Sequence, residues 1–289
     1  MSASDAKQAN DNPASGGTTT SHAERRALLA TCVAAAARGA EIVKAGAARR
    51  DTLTWESKSE FDFVSDVDRE SETVIAETIA SRHADAVLLA EEGSPDADAT
   101  RGLVFIADPL DGTTNFLHGV PWYAVSIAAL VDGQVVAGAV INVATGELFT
   151  ATASGGARRS GAPIHVSTET EPRRSLIATG FPFSRNEDIE RYVPLLPDIM
   201  RATSGIRRNG AAALDLADVA CGRYEAFFEL RLSPWDLAAG LLLVKEANGL
   251  ITTMEGAPCP IASTSVLAGN PTMHHWLFET IRAASARHP

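Results

Sequence analysis

No run of about 18 or more apolar residues occurs in this sequence of 289, so no segment is long enough to cross a bilayer as a helix. The first 21 residues, Met1 to Ser21, lack the apolar core of a secretory signal. Rich in Ser, Thr, Ala, Asn, Asp and Gly, they are expected to form a disordered tail. Cysteine is scarce: Cys32, Cys221 and Cys259 are odd in number, far apart and without metal-ligand spacing. Reduced core thiols in a cytoplasmic protein are the expectation. Long basic runs are missing too. The arginine pairs at 25–26, 49–50, 158–159, 173–174 and 207–208 are scattered and read as solvated surface. With a net charge of −11, the chain is a poor candidate for non-specific nucleic-acid binding, and neither nucleic acid nor membrane is an expected partner. Such a chain also suits an anionic substrate badly, unless cations fill its site. No internal repeat is present.

What is there suffices for a full core: 45% of the residues are apolar. The length fits one large domain or two joined halves of about 130 residues, drawn here as 22–160 and 161–289. Ser21-His22-Ala23-Glu24 has the form of a capping box, and Leu28, Leu29, Cys32, Val33 and Ala36 follow at helical spacing. A second helical pattern covers about 67–82. Two short apolar runs, 86–90 and 103–107, end on Glu91-Glu92 and Asp108; open α/β sheets place ligands at such strand ends. From 122 to 153 the chain reads as strands separated by turn pairs such as Asp132-Gly133 and Thr145-Gly146. Helices are expected near 187–202, 211–221, 235–247 and 271–286, with strands at 175–179 and 224–230. Mixed sheets layered with helices are the implied architecture.

The chemistry concentrates in Asp108-Pro109-Leu110-Asp111-Gly112-Thr113. Two carboxylates three residues apart stand where a buried strand meets a Gly-Thr-Thr-Asn segment. Pro109 removes a donor and fixes the bend. Gly112, without a Cβ, lets the main chain approach a ligand. If Thr113 opens a helical turn, the amides of 112–114 converge on one spot and make a phosphate seat. Two carboxylates about 5 Å apart repel by roughly 3 kcal/mol at an effective dielectric near 20, so a cluster of them calls for cations. A structural Asp-Gly turn is the plain alternative; the whole string in its strand context argues against it.

The string Asp108 to Phe116 resembles the signature of the inositol monophosphatase family, within the lithium-sensitive sugar phosphatases. Three further segments resemble that family's motifs in order: Asp62 to Glu72, Glu91-Glu92, and Trp235-Asp236-Leu237-Ala238-Ala239-Gly240. The resemblance covers about residues 22–285. It implies a layered αβαβα sandwich of the α+β class and a homodimer. It also implies two or three Mg²⁺ ions per site, with Mn²⁺ a possible substitute. Carried over residue by residue, Glu91, Asp108 and the Leu110 carbonyl would hold a first ion. Asp108, Asp111 and Asp236 would hold a second, and Glu91 would help with a weaker third. Water on the first ion would attack phosphorus in line, oriented by Thr113 and Asp68, with Glu91 or Asp68 taking its proton. Asp111, Gly112, Thr113, Gly210, Ala211, Ala212, Glu229 and Asp236 would contact the substrate. The all-oxygen ligand set independently selects a hard cation.

Each of these residues also has a plainer reading. Asp236 fits a first-turn helix acid favoured by the dipole, although the upstream motif argues for a ligand. Glu92 ranks below Glu91 as a ligand. Asp66 competes with Asp68, but the spacing to Glu72 favours the latter. Lys58 is expected to be exposed, His118 structural, and Asp215 and Asp218 exposed or packing residues. Ala90, Ser65 and Ala211 depart from the usual Gly, Thr, and Thr or Ser of the family. Thr113-Thr114-Asn115-Phe116 resembles the family's inositol branch, which with Glu229 implies myo-inositol monophosphate as substrate, with histidinol phosphate and fructose 1,6-bisphosphate next. A non-catalytic regulatory binding protein is the alternative of another class.

Overall fold

The computed structural model describes residues 20–53, 55–59, 62–183, 186–262 and 264–287. The expected tail therefore lies, up to residue 19, outside the described residues. The capping box forms: the Glu24 amide donates to Ser21 Oγ at 3.2 Å and the Ser21 amide to Glu24 Oε2 at 2.6 Å. Helix α1 (His22–Ala48) starts there and buries Leu28, Cys32, Ala35, Ala36 and Val43. After a short hairpin of β1 (Trp55–Ser59) and β2 (Asp62–Ser65), α2 (Asp66–Ala80) packs beside α1.

A seven-stranded sheet follows. Its strands are β3 (Val87–Ala90), β4 (Leu103–Asp111), β5 (Ala124–Val131), β6 (Gln134–Asn142), β7 (Leu148–Thr152), β8 (Gly156–Arg159) and β9 (Ala162–Ile164), in that spatial order. β3 and β4 are parallel and the later pairs antiparallel. Asp132-Gly133 joins β5 to β6 with φ of 49° and 76°, the doubly positive turn that suits twisted hairpins. Along β4, Val104 and Ile106 enter one core while Phe105 and Ala107 enter another. A strand buried on both faces reads as an unbroken apolar run, as 103–107 does.

A second sheet holds β10 (Leu176–Thr179), β11 (Gly205–Arg207), β12 (Ala226–Leu232), β13 (Leu250–Thr252) and β14 (Thr264–Gly269), ordered β11-β10-β12-β14-β13. Between the sheets lie α6 (Ala212–Ala220) and α7 (Pro234–Glu246), the short α3 (Thr113–His118) having followed β4. The outer face of the second sheet is covered by α4 (Asn186–Tyr192), α5 (Leu196–Ala202) and α8 (Pro271–Arg287). One core on each outer interface and a third spanning both faces of α6 and α7 join five layers, α–β–α–β–α, which is the layered αβαβα sandwich.

Two expectations need correction. The single helix expected over 187–202 is broken by a 3₁₀ turn at Val193–Leu195, because Pro194 has no amide proton and its ring obstructs the preceding turn. β11 stands where no strand was anticipated. Of the two readings of Asp215 and Asp218, exposed or packing, the second holds: both are buried, because α6 is enclosed between two sheets. Among the described residues no helix is long and apolar enough to cross a membrane, and Cys32, Cys221 and Cys259 are free.

Candidate metal centre

The site begins with a register fault. In a regular strand, residues three apart point to opposite faces. Asp108 pairs with Ser126 and Asp111 with Ala124, so three steps on β4 are matched by two on β5. This bulge inserts the residue that brings both aspartates toward one side. Pro109, which cannot donate to the ladder, sits inside it. The parallel partner β3 ends at Ala90 opposite Ala107, so Glu91 and Asp108 leave neighbouring strands at their carboxyl ends.

Asp236 arrives from the opposite sheet's side, at the third position of α7. The Ser233 amide donates to its Oδ2 at 2.7 Å, forming a capping box. The helix-cap reading and the cluster reading are therefore the same geometry: the fold of the first turn aims the carboxylate. Asp108, Asp111 and Asp236 offer oxygens within 4.8 Å of one another. Glu91 stands outside that circle but lines the same cavity of about 480 Å³.

Burial pushes the Asp108 carboxyl well above the carboxylate range, with Glu91, Asp111 and Asp236 adding repulsion. Burial also raises Asp111 to about 7, against the Ala213 amide, which donates to its Oδ2 at 2.9 Å. Burial thus favours the protonated forms of Asp108 and Asp111. A divalent cation is what lets them ionise together, and a donor set of oxygens alone suits a hard one. The residues present fit a metal ion.

Around the cluster, Glu72 Oε2 accepts the Glu92 amide at 2.8 Å and so holds the turn that carries Glu91. Asp68, 1% exposed at the third position of α2, accepts the Ser65 amide at 2.9 Å and Thr113 Oγ1 at 2.9 Å. Asp66 instead faces solvent near Arg69. Thr113 Oγ1 also lies 2.9 Å from the Leu110 carbonyl. One hydroxyl proton serves two acceptors, so engaging either leaves the other open. The Lys58 side chain lies outside the described residues, and His118 is exposed at the end of α3.

Gly112 carries φ +87°, and a Cβ there would meet the carbonyls of Trp122 and Gly210 at 3.0 and 3.2 Å. Conformation and space both require glycine. Thr113 then opens α3, whose first amides lack partners inside the helix. Asn115 Nδ2 donates to the carbonyls of Trp122 and Asn209 at 2.8 and 2.7 Å, pinning the 209–211 segment against this loop. Gly210 lines the cavity, whereas Ala211 and Ala212 are buried beneath it. Glu229 is not among the lining residues. Burial raises its carboxyl well above the usual range, Asp215 and Asp236 add to this, and Arg208 opposes it. The lining also includes Thr114, Phe183 and Arg208, which sequence reasoning did not single out. Arg207-Arg208 had read as a solvated pair; only its position just before Gly210 hinted otherwise.

An acidic cluster at strand ends and helix starts, beside an amide-rich loop in a five-layer sandwich, could hold metal ions in the manner of a phosphatase. Residues 24–286 match the model of the inositol monophosphatase family, and the chain belongs to that family. It is 39% identical over 256 residues to a protein of Neisseria meningitidis serogroup B named putative Nus factor SuhB, covering 89% of this chain and 98% of that one. To an inositol-1-monophosphatase of Synechocystis it is 38% identical over 222 residues, 77% of each. The crystal structure of the extragenic suppressor protein suhB from Bartonella henselae superposes with a TM-score of 0.83 at 36% identity, covering 89% of this chain and 98% of that one.

Proposed function

We propose that this protein is a magnesium-dependent phosphatase that hydrolyses a phosphate monoester of a small polyol, myo-inositol monophosphate first. The observation that carries the reading is the convergence of Asp108, Asp111 and Asp236 within 4.8 Å, with Glu91 on the same cavity. Glu91, Asp108, the Leu110 carbonyl, Asp111 and Asp236 would hold two or three Mg²⁺ ions, which when bound neutralise phosphoryl charge and lower the pKa of water.

The chain's own groups do the positioning. With the Leu110 carbonyl engaged, the Thr113 proton turns to Asp68, and the hydroxyl's lone pairs are free to orient a water molecule. Asp68 or Glu91 then receives that water's proton. The amides of Gly112 and Thr113 seat the phosphoryl oxygens. Gly210 flanks the polyol and Asp111 and Asp236 touch the ester, whereas Ala211, Ala212 and Glu229, which do not line the cavity, would act on the polyol from behind it. A cytoplasmic homodimer without a nucleic-acid partner completes the reading.

The Nus factor name of the Neisseria relative favours a second reading, a regulatory binding protein on the same fold. Phosphate release from inositol 1-phosphate, histidinol phosphate and fructose 1,6-bisphosphate, with and without Mg²⁺, separates the two. Mg²⁺-dependent turnover with inositol 1-phosphate preferred is expected. No turnover of any ester favours the binding protein.

A further inference from the structure

We propose that Arg208 is a specificity residue: a guanidinium at the edge of the carboxylate cavity that, between esters of one and the same sugar, favours the one bearing a second phosphoryl group. This rests on the phosphatase reading and extends it to the choice among substrates.

The chain is acidic, and several of its arginines are paired with acids: Arg49 with Glu70, Arg223 with Glu147 and Asp218, and Arg231 with Asp188. Arg208 is held differently. Its guanidinium carbon lies 5.5 Å from the Phe181 ring centroid and 5.0 Å from that of Phe183, and the two rings meet edge to face at 5.8 Å. Among the described residues no carboxylate forms an ion pair with it. Aromatic faces hold a guanidinium by its flat side and leave its edge donors free.

Its place makes those donors useful. Arg208 is the one basic side chain, among the described residues, that lines the cavity shared by Glu91, Asp108, Asp111 and Asp236. A Cβ at Gly210 would stand 2.6 Å from Arg208 Nη1, so glycine there clears the space the guanidinium occupies. Gly210 in turn abuts Gly112, so one residue of backbone separates the guanidinium from the phosphate loop. A neutral polyol needs acceptors and donors of hydroxyl strength. A planar fork of charged donors matches phosphate, and two exposed rings against the guanidinium restrict the orientations it must give up on binding. At about 480 Å³ the cavity is of the size that takes a whole small ligand.

The test uses a matched pair, fructose 1-phosphate and fructose 1,6-bisphosphate, with the full chain and Mg²⁺. Wild type should show a kcat/KM for the bisphosphate about tenfold or more above that for the monophosphate, most of it in KM. Arg208→Gln should erase that ratio. Arg208→Lys should restore part of it, since Lys keeps charge but not the planar fork. Equal rates on the two esters in wild type, or an equal loss on both in Arg208→Gln, would overturn the proposal and leave Arg208 a structural clamp. If neither fructose ester is cleaved, the hydrolysis reading is judged on inositol 1-phosphate and the subsite on binding. Calorimetric binding of the same pair then decides: tighter binding of the bisphosphate that Arg208→Gln abolishes sustains the subsite, and its absence ends it.

Discussion

Replacing Asp111 by Asn should make the metal-free protein more stable while removing most of its turnover. Asp111 is 7% exposed, and burial lifts its carboxyl to about 7. In the unfolded chain the same group titrates near 3.9. Between those values the folded state keeps a proton that the unfolded state has released. Stability of the metal-free protein therefore falls as pH rises from about 4 to about 7. About three pH units correspond to about 4 kcal/mol above the folded pKa, and the repulsion from Glu91 makes part of this a property of the cluster. Asn keeps the shape and can still accept the Ala213 amide, but carries no charge to desolvate. One kcal/mol moves the melting temperature of a chain this large by about 2–4 °C. In chelator near pH 7.5 the variant should melt up to about 10 °C above wild type, the gap closing toward about pH 4–5. Mg²⁺ should raise wild type far more than the variant. Turnover of inositol 1-phosphate should fall about a hundredfold or more. Circular-dichroism melts at the two pH values, with EDTA and with Mg²⁺, make the comparison. A variant that melts below wild type in EDTA near pH 7.5 refutes the electrostatic reasoning.

Three other outcomes are expected. Glu72→Ala frees the Glu91 turn and should weaken Mg²⁺ activation about 10–100-fold without a change in fold; unchanged half-saturation by Mg²⁺ would contradict the anchoring role. Thr113→Val should lower kcat about a hundredfold whereas Thr113→Ser retains most of it, because only the hydroxyl links Asp68 to the Leu110 carbonyl; equal kcat for the two variants would remove Thr113 from the chemistry. Gly180→Ala places a methyl group on the Glu229 carboxylate and should destabilise by about 1–3 kcal/mol while raising KM for inositol 1-phosphate, as urea melts and initial rates would report.

Much of the fold and the acidic core of the site could be read from the chain alone, for reasons local to a few residues. Ser21 and Glu24 satisfy each other's amides, so the start of α1 is a four-residue fact. β4 is an unbroken apolar run because it faces two cores, and Asp132-Gly133 can take the two positive φ angles its hairpin needs. Asp108, Asp111 and Gly112 announce themselves in one string. Pro194 stands in the chain too, and its missing amide proton divides the 187–202 pattern around a 3₁₀ turn.

Other features belong to the packing. β11 has only three residues, and its pairing to β10 makes it a strand where propensity does not. Asp215 looks like an ordinary helix acid until a second sheet closes over α6 and pushes its carboxyl well above the usual range. The bulge between Asp108 and Asp111 exists only against β5, and without it their spacing would turn them apart. Arg208 reads as half of a solvated pair; the turn that brings Phe181 and Phe183 over it makes it part of the cavity. The chain by itself determined which residues carry charge, which can bend and where helices start, since those depend on neighbours a few positions away. Only the tertiary structure decided which charges face one another and which lose water, because burial and field arise from segments that meet across the sandwich.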